Sequence, residues 1–176
     1  MLSPNSNDSS LAAWLQEHRG IFVKISRAFA RGEVDVAELQ QEMVFQVWQS
    51  LGGFEGQARP ATWIYRVCLN TALTWKRGTE RRRQHLAPEA EIATLASSAC
   101  NPAETAERTE WLERLVAALQ ALPPADRALL LLMLDGLSYR EIAEVTGMTE
   151  NHVGVALTRA RKRLTTQMKG VIDELG

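Results

Sequence analysis

The side chains best suited to bind another molecule lie on a helix that the last third of this sequence predicts. At helical spacing along ENHVGVALTRARKRL (residues 150–164), one face carries Asn151, Val155, Thr158, Arg159 and Lys162. In a DNA major groove, an amide and a guanidinium can bond base edges, a valine can contact a thymine methyl and a lysine can neutralise a phosphate. The same spacing also fits an ordinary helical hairpin with a solvated basic end.

The residues before this helix predict a helix-turn-helix. Ser138 and Glu141 form a capping-box pattern that starts a short helix, and Gly147 permits a tight turn. Thr149 then caps the second helix. Apolar residues that would hold the two helices together are Ile142, Ala143, Val145, Met148, Val153 and Leu157. A short helix, a turn with glycine and a basic second helix form the pattern that reads duplex DNA, so recognition is favoured over the plain hairpin.

A second group of cations, nearer the middle of the chain, is mixed with aromatic residues. The cations are Arg59, Arg66, Lys76, Arg77 and Arg81, and the aromatic residues are Phe54, Trp63, Tyr65 and Trp75. Aromatic rings beside cations can stack on unpaired bases and contact phosphates. Taken alone, the pattern is better explained by a buried Trp63 and a solvated helix end. Beside a helix-turn-helix in the same chain, it favours binding of single-stranded nucleic acid.

No pattern of a catalytic or metal site is present in the sequence. The phosphate-loop pattern GxxxxGK[ST], the nucleophile pattern GxSxG and the metal pattern HExxH do not occur. The candidate ligands are scattered: Cys68, Cys100, His18, His85 and His152. We therefore expect no enzyme activity, no metal and no cofactor.

Composition is typical of a globular protein, with 45% hydrophobic and 23% charged residues and a net charge of −1. The longest apolar run, Ala128–Leu134, is far shorter than the roughly 20 residues that span a bilayer. The first ten residues are polar and contain no hydrophobic signal segment. We expect a cytoplasmic protein without membrane insertion.

Hydrophobic spacing predicts an all-α fold of two small helical domains, the second containing the helix-turn-helix, because no stretch alternates as a strand would. In the first domain we expect one helix through Phe29, a second helix capped by Asp35 with Glu38, and a third opened by Pro60.

In the second domain the same spacing predicts a helix with Trp111 on its core face. A further helix is predicted to open at Pro124 and to bury the whole run Leu129–Leu134.

Charge and composition predict the domain boundaries. Residues 88–111 carry five acids and one base, and 87–107 are small and polar without amphipathic spacing, which is typical of a linker. We expect a disordered tail over 1–10, a first domain over 11–85, a flexible acidic linker over 86–109 and a second domain over 110–176.

Three segments together resemble the bacterial RNA polymerase sigma factors of the extracytoplasmic-function (ECF) group. DVAELQQEMVFQVWQSL (35–51) is similar to the helix of that family that binds core polymerase. FEGQARPATWIYRVCLNTALTWKR (54–77) resembles its promoter-melting segment. LQALPPADRALLLLMLDGLSYREIAEVTGMTENHVGVALTRARKRL (119–164) is similar to its fourth conserved region. The order and spacing of the segments are those of the family.

The resemblance implies a role for each matching position. The residues that it implies for docking on the coiled-coil clamp of the largest polymerase subunit are Asp35, Glu38, Leu39, Gln41, Glu42 and Trp48. Melting of the minus-ten element falls to Phe54, Arg59, Trp63, Arg66, Asn70, Lys76 and Arg77, with the loop from Phe54 to Arg59 taking a flipped base. Reading of the minus-thirty-five element falls to Ser138, Tyr139, Arg140, Thr149, Asn151, His152, Val155, Thr158, Arg159 and Lys162.

The implied function is that of a sigma factor, with core RNA polymerase, promoter DNA and an inhibitory anti-sigma protein as partners. The chain departs from the family where the pattern TVKSRL would place two cations, since Gly154 and Ala156 stand there. A conventional helix-turn-helix regulator, or a sigma-like adaptor that binds proteins without promoter DNA, are the alternatives.

Overall fold

The computed structural model describes residues 12–85 and 104–173, which form helices and loops without a β-strand in either range. These helices group into two compact units. The expected all-α fold of two helical domains is confirmed. The predicted tail over 1–10 lies outside the described residues, as do residues 86–103 of the predicted linker.

Within residues 12–85, the first unit has four α-helices and one short 3₁₀ turn. They are α1 (residues 12–17), α2 (Arg19–Phe29), α3 (Gly32–Ser50), the 3₁₀ turn Leu51–Gly53 and α4 (Pro60–His85). Helices α2, α3 and α4 pack on one another, and their buried faces meet in a core of Ile25, Phe29, Leu39, Met43, Val47 and Ile64. Pro60 opens α4 as predicted, because its fixed φ suits the first turn of a helix.

Two helix starts in this unit differ from the prediction. The expected first helix is divided by a turn at His18, so α2 begins at Arg19. Helix α3 begins at Gly32, and the predicted cap at Asp35 is wrong, because Asp35 lies inside the first helical turn. The physical reason is Gly32, whose φ of +76° lets the chain turn directly into the helix. The carboxylate of Asp35 still lies close to the positive end of the helix dipole.

The second unit contains α5 (Glu104–Ala121), α6 (Pro124–Leu134), α7 (Tyr139–Thr146) and α8 (Glu150–Asp173), with α5, α6 and α7 all packed on α8. Helix α5 starts inside the predicted linker, so residues 104–109 are helical; alanine and glutamate favour a helix there. The predicted opening of α6 at Pro124 is confirmed.

Two burial predictions for the second unit are wrong. Leu129 to Leu132 are buried, but Leu134 is exposed because it ends α6, beyond the part of the helix that its neighbours cover. Trp111 is exposed as well, since α5 buries only its later residues, among them Ala118 and Leu119. No helix within the described ranges is long and apolar enough to cross a membrane.

Candidate nucleic-acid and protein interfaces

The helix-turn-helix has the capping geometry that the sequence predicts. The Ser138 hydroxyl accepts a hydrogen bond from the Glu141 backbone N–H at 3.2 Å, while the Glu141 carboxylate accepts one from the Ser138 backbone N–H at 2.8 Å. Gly147 adopts φ +73° in the turn, and Thr149 Oγ1 accepts from the backbone N–H of His152 at 3.3 Å. The hydroxyls of Ser138 and Thr149 thus hold the motif together from within the protein.

Helix α8 presents the predicted reading face to the outside. Val153 and Leu157 are buried against the rest of the unit, and Val155 is 50% exposed. The other predicted reading residues of α8 are also exposed: Asn151, His152, Thr158, Arg159 and Lys162. The structure therefore brings these side chains together on one surface.

Four cations near the end of this face lie on two different sides of α8: Arg159, Arg161, Lys162 and Arg163. Arg159 and Lys162 share the exposed face with Val155. Arg163 forms an ion pair with Asp126 of α6. The Arg161 guanidinium lies 2.8 Å from the sulfur of Met133, which is also on α6. Two of the four cations therefore stabilise the packing of α8 on α6 and leave the other two for a ligand.

Tyr139, at the start of α7, lies against α8 at Gly154. A Cβ atom built on Gly154 would be 3.4 Å from Cε2 and 3.9 Å from Cδ2 of the tyrosine ring. Arg140, also predicted to read DNA, is highly exposed and lies 3.5 Å from Glu144 on its own helix. Tyr139 is thus the residue of α7 that joins the α8 surface.

Three aromatic rings form a cluster at the predicted melting segment. Phe54 lies edge-on to Trp14 with ring centroids 5.0 Å apart, and its ring centroid is 5.3 Å from that of Trp63. Trp14 and Trp63 are 5.9 Å apart. Such edge-on and tilted arrangements suit the ring quadrupoles. The sequence alone does not predict the contact of Trp14 with the melting residues, because nothing local links α1 to the loop after α3.

One stripe of α4 continues this cluster. Trp63, Arg66, Asn70 and Arg77 follow one another at helical spacing on one side, and the last three are exposed. The Arg77 guanidinium is held locally by the Leu73 carbonyl at 3.3 Å. These four predicted melting residues are thus brought together in one row.

Other residues of the mixed aromatic and basic group do not join the row. Tyr65 is buried in the core. Lys76 is turned away from the row by about 100° around α4, and its ammonium is 3.4 Å from the Glu80 carboxylate. Arg59 is exposed just before α4 begins.

A cleft of about 340 Å³ separates the row from α3. It is lined by Glu42, Gln46, Asn70, Thr71, Thr74 and Trp75. Gln46 donates a hydrogen bond to Glu42 at 2.9 Å, while the indole N–H of Trp75 is buried without a hydrogen-bond partner among the described residues. The cleft thus brings Asn70, a predicted melting residue, and Glu42, a predicted docking residue, to one cavity.

The outer face of α3 carries an apolar groove beside acidic residues. The groove is about 580 Å³ and is lined by Ala37, Gln40, Gln41, Val44, Phe45 and Trp48. Phe45 and Trp48 are 49% and 48% exposed, with ring centroids 6.1 Å apart. We call these two residues the aromatic pair. Trp48 is among the predicted docking residues and Phe45 is not, although a spacing of three residues places both on the same face of a helix.

The predicted docking residues of α3 fall into two groups. Gln41 and Glu38 are exposed, and Glu38 makes a loose ion pair of 3.9 Å with Arg82. Leu39 is fully buried, so its side chain belongs to the core and cannot touch a partner directly. Asp35 and Glu42 are half-buried.

No chemistry of bond making is evident in the described parts of the chain. Within residues 12–85 and 104–173, no three His, Cys, Asp or Glu side chains come together to hold a metal ion. Burial raises the pKa of the Cys68 thiol by desolvation, so the thiol remains protonated and is a poor nucleophile. The surfaces described above are suited to binding.

The fold and these surfaces define an all-helical protein with a DNA-binding motif in its second unit, and comparison with known proteins gives the family. Residues 14–82 match the family described as Sigma-70 region 2, and residues 112–164 match Sigma-70, region 4. Each match lies within one of the two units. The chain belongs to the sigma-70 family of RNA polymerase sigma factors, in the ECF group.

Curated relatives carry the name of the same group. The chain is similar to ECF RNA polymerase sigma factor SigG of Mycobacterium tuberculosis, with 33% identity over 80% of this chain and 44% of that protein. It is also similar to the ECF RNA polymerase sigma-E factor of Escherichia coli, with 28% identity over 78% of this chain and 76% of that protein. The chain thus spans less than half the length of SigG.

Two solved structures share the fold. One is CnrH in complex with the cytosolic domain of CnrY, with a TM-score of 0.66 and 21% identity over 93% of this chain and 90% of that one. The other is the sigma factor RpoE in complex with the anti-sigma factor NepR from Bartonella quintana, with a TM-score of 0.64 and 20% identity over 92% of this chain and 96% of that one.

Proposed function

We propose that this chain is a promoter-specificity subunit that recruits core RNA polymerase, helps to melt the minus-ten region and reads the minus-thirty-five element. The observation that carries the proposal is the presence, in one chain, of two different nucleic-acid surfaces. One is the row of Trp63, Arg66, Asn70 and Arg77, suited to unpaired bases, and the other is the exposed face of α8, suited to a major groove. A regulator of duplex DNA needs only the second.

Docking on polymerase is assigned to α3. Its outer face carries the aromatic pair, and the carboxylates of Glu38 and Glu42 lie on the adjoining side towards α4, where they would complement the basic clamp that the family resemblance implies. Charge complementarity speeds encounter, and exposed aromatic residues are frequent hot spots of protein interfaces. The proposed site of action is the cytoplasm, where polymerase and promoter DNA are found.

Melting is assigned to the aromatic cluster and to Asn70. Flipping a base out of the duplex costs a few kcal/mol of stacking, which ring and amide contacts to the extruded base must offset. Phe54 and Trp63 are held edge-on by Trp14, so they are oriented before any DNA arrives. Asn70 adds an amide that can bond a base edge.

An anti-sigma protein is the proposed inhibitory partner. Both structural relatives were solved with a bound protein, and in the RpoE structure the partner is an anti-sigma factor. A polymerase-docking face that is exposed in the free chain is a surface that such an inhibitor could cover.

Transcription by purified core polymerase with and without this chain tests the proposal. Sequencing of the transcripts should reveal start sites that appear only when the chain is present, downstream of a shared minus-ten and minus-thirty-five pair. Repression, or no effect with DNA binding retained, would instead support the conventional regulator. Polymerase binding without new start sites would support the adaptor.

Reversing the acidic charge of α3 should weaken docking. Glu38→Lys combined with Glu42→Lys is expected to lower core affinity about tenfold, since like charges would then face each other, and the loss should be greatest at low salt. Core binding measured by fluorescence anisotropy at two salt concentrations checks this. Glu17→Lys with Glu80→Lys makes the same change in net charge elsewhere on the first unit and should leave affinity unchanged. Equal losses in both pairs would contradict a specific docking face.

Removing the Asn70 amide should impair melting more than binding. Asn70→Ala is expected to reduce initiation about tenfold on a closed promoter, consistent with about 1–3 kcal/mol for one base contact, and less than twofold on a premelted bubble. Run-off transcription from the two templates gives the ratio. Gln49→Ala removes an exposed amide from α3, outside the row, and is the control. The same loss on both templates would show that Asn70 does not act in melting.

A further inference from the structure

The contact between Tyr139 and Gly154 changes the reading surface of the helix-turn-helix. A Cβ atom on Gly154 would stand 3.4 Å from the ring of Tyr139, so the ring lies directly over the glycine backbone. Tyr139 is 42% exposed, so it also contributes to the surface that α7 and α8 present to solvent. Gly154 is therefore the place where an aromatic residue from α7 enters the α8 surface.

This contact depends on the absence of a side chain longer than that of alanine at position 154. At 3.4 Å a methyl group is in ordinary van der Waals contact with the ring, and a longer side chain would have to share the space that the ring occupies. The tyrosine ring thus occupies the region that a cation at this position would otherwise use.

The result is an apolar patch in the second turn of the recognition helix, after a polar first turn. Val155, next to Gly154, is 50% exposed, and Ala156 adds only a methyl group. Along the exposed face of α8, the first cation is Arg159. Guanine presents hydrogen-bond acceptors in the major groove, and a surface made of an aromatic ring and an isopropyl group offers only the tyrosine hydroxyl as a donor to them. Such a surface is complementary to a methyl group.

We propose that Tyr139 and Val155 together read the C5-methyl groups of thymines in the minus-thirty-five element. In the major groove the methyl is the one apolar group on a base edge, and it distinguishes thymine from every other base. The inference rests on the proposed promoter-reading function, and it adds the chemical identity of the bases that this helix selects.

Replacement of thymine by uracil tests the proposal directly, because uracil keeps the pairing and hydrogen-bonding groups and lacks only the methyl. Holoenzyme assembled from core polymerase and the full chain is titrated with its promoter, with each thymine of the minus-thirty-five element replaced in turn. Affinity should fall about three- to tenfold at one or two positions, the range expected for a lost apolar base contact. Val155→Ala and Tyr139→Ala should each reduce this discrimination, while Tyr139→Phe should retain it.

Variants at Gly154 separate this account from one in which glycine allows close backbone approach to DNA. Gly154→Ala should keep the thymine preference, since the added methyl only touches the ring. Gly154→Lys should displace the ring, reduce the preference, and strengthen binding to all sequences with a steeper salt dependence.

Equal affinity for thymine and uracil at every position would overturn the inference while leaving promoter binding intact. An element without thymine would overturn it too. A holoenzyme that forms no specific promoter complex would overturn the proposed function itself.

Discussion

Replacement of both members of the aromatic pair by alanine should lower the affinity for core polymerase about 100-fold. Phe45 and Trp48 are about half-exposed, lie side by side and line an apolar groove, so their contacts are available to a partner. Buried aromatic anchors of interfaces commonly cost 2 kcal/mol or more each when truncated, and about 2.7 kcal/mol corresponds to this factor.

The experiment is a titration of core polymerase against Phe45→Ala/Trp48→Ala, with thermal unfolding as a check on the fold. Little change in stability is expected, since both rings are largely outside the core. Val34→Ala is the matched control, because Val34 is an 81% exposed apolar residue on the same helix that does not line the groove. If the control and the double variant bind alike, the groove is not the docking site.

Replacement of Arg127 by methionine should destabilise the second unit by about 3–5 kcal/mol. Arg127 is only 3% exposed. Its guanidinium donates to three backbone carbonyls, those of Leu119, Gln120 and Leu122. These carbonyls lie at the C-terminal end of α5, where a helix supplies few donors of its own, and the Leu119 carbonyl also accepts from the Leu122 backbone N–H at 3.1 Å. Methionine keeps the apolar stem but removes the charge-assisted hydrogen bond to each carbonyl, at about 1–3 kcal/mol each.

Hydrogen exchange of the full chain, followed by mass spectrometry, measures this effect in each unit separately. Amides of α5 to α8 should exchange far faster in Arg127→Met, while those of α2 to α4 serve as an internal reference. Arg159→Met makes the same substitution at an exposed site of the second unit and should change stability by no more than about 0.5 kcal/mol. Unchanged protection in Arg127→Met would mean that the three hydrogen bonds contribute little to the fold.

Sequence patterns were sufficient to predict those features of the structure that depend only on neighbouring residues. The capping box of Ser138 and Glu141, the turn at Gly147 and the start of α4 at Pro60 each depend on residues within a few positions of one another. The exposed face of α8 also follows from spacing alone, because a helix fixes which residues share a side.

Predictions failed where a long-range contact or a backbone angle decided the outcome. The start of α3 depends on a left-handed turn at Gly32, and a capping pattern three residues later looked equally suitable. Leu39 has the right position in the family pattern for docking, but packing of α2, α3 and α4 places it in the core.

The sequence by itself determined the helical class, the helix-turn-helix and the family, because periodicity, caps and motif order are properties of neighbouring residues. Only the tertiary structure decided which side chains meet across elements. It placed Trp14 against Phe54, buried Arg127 beneath the end of α5, and set the ring of Tyr139 over Gly154. These contacts join residues from 5 to 40 positions apart, and their partners are determined by the packing of whole helices, which no local pattern records.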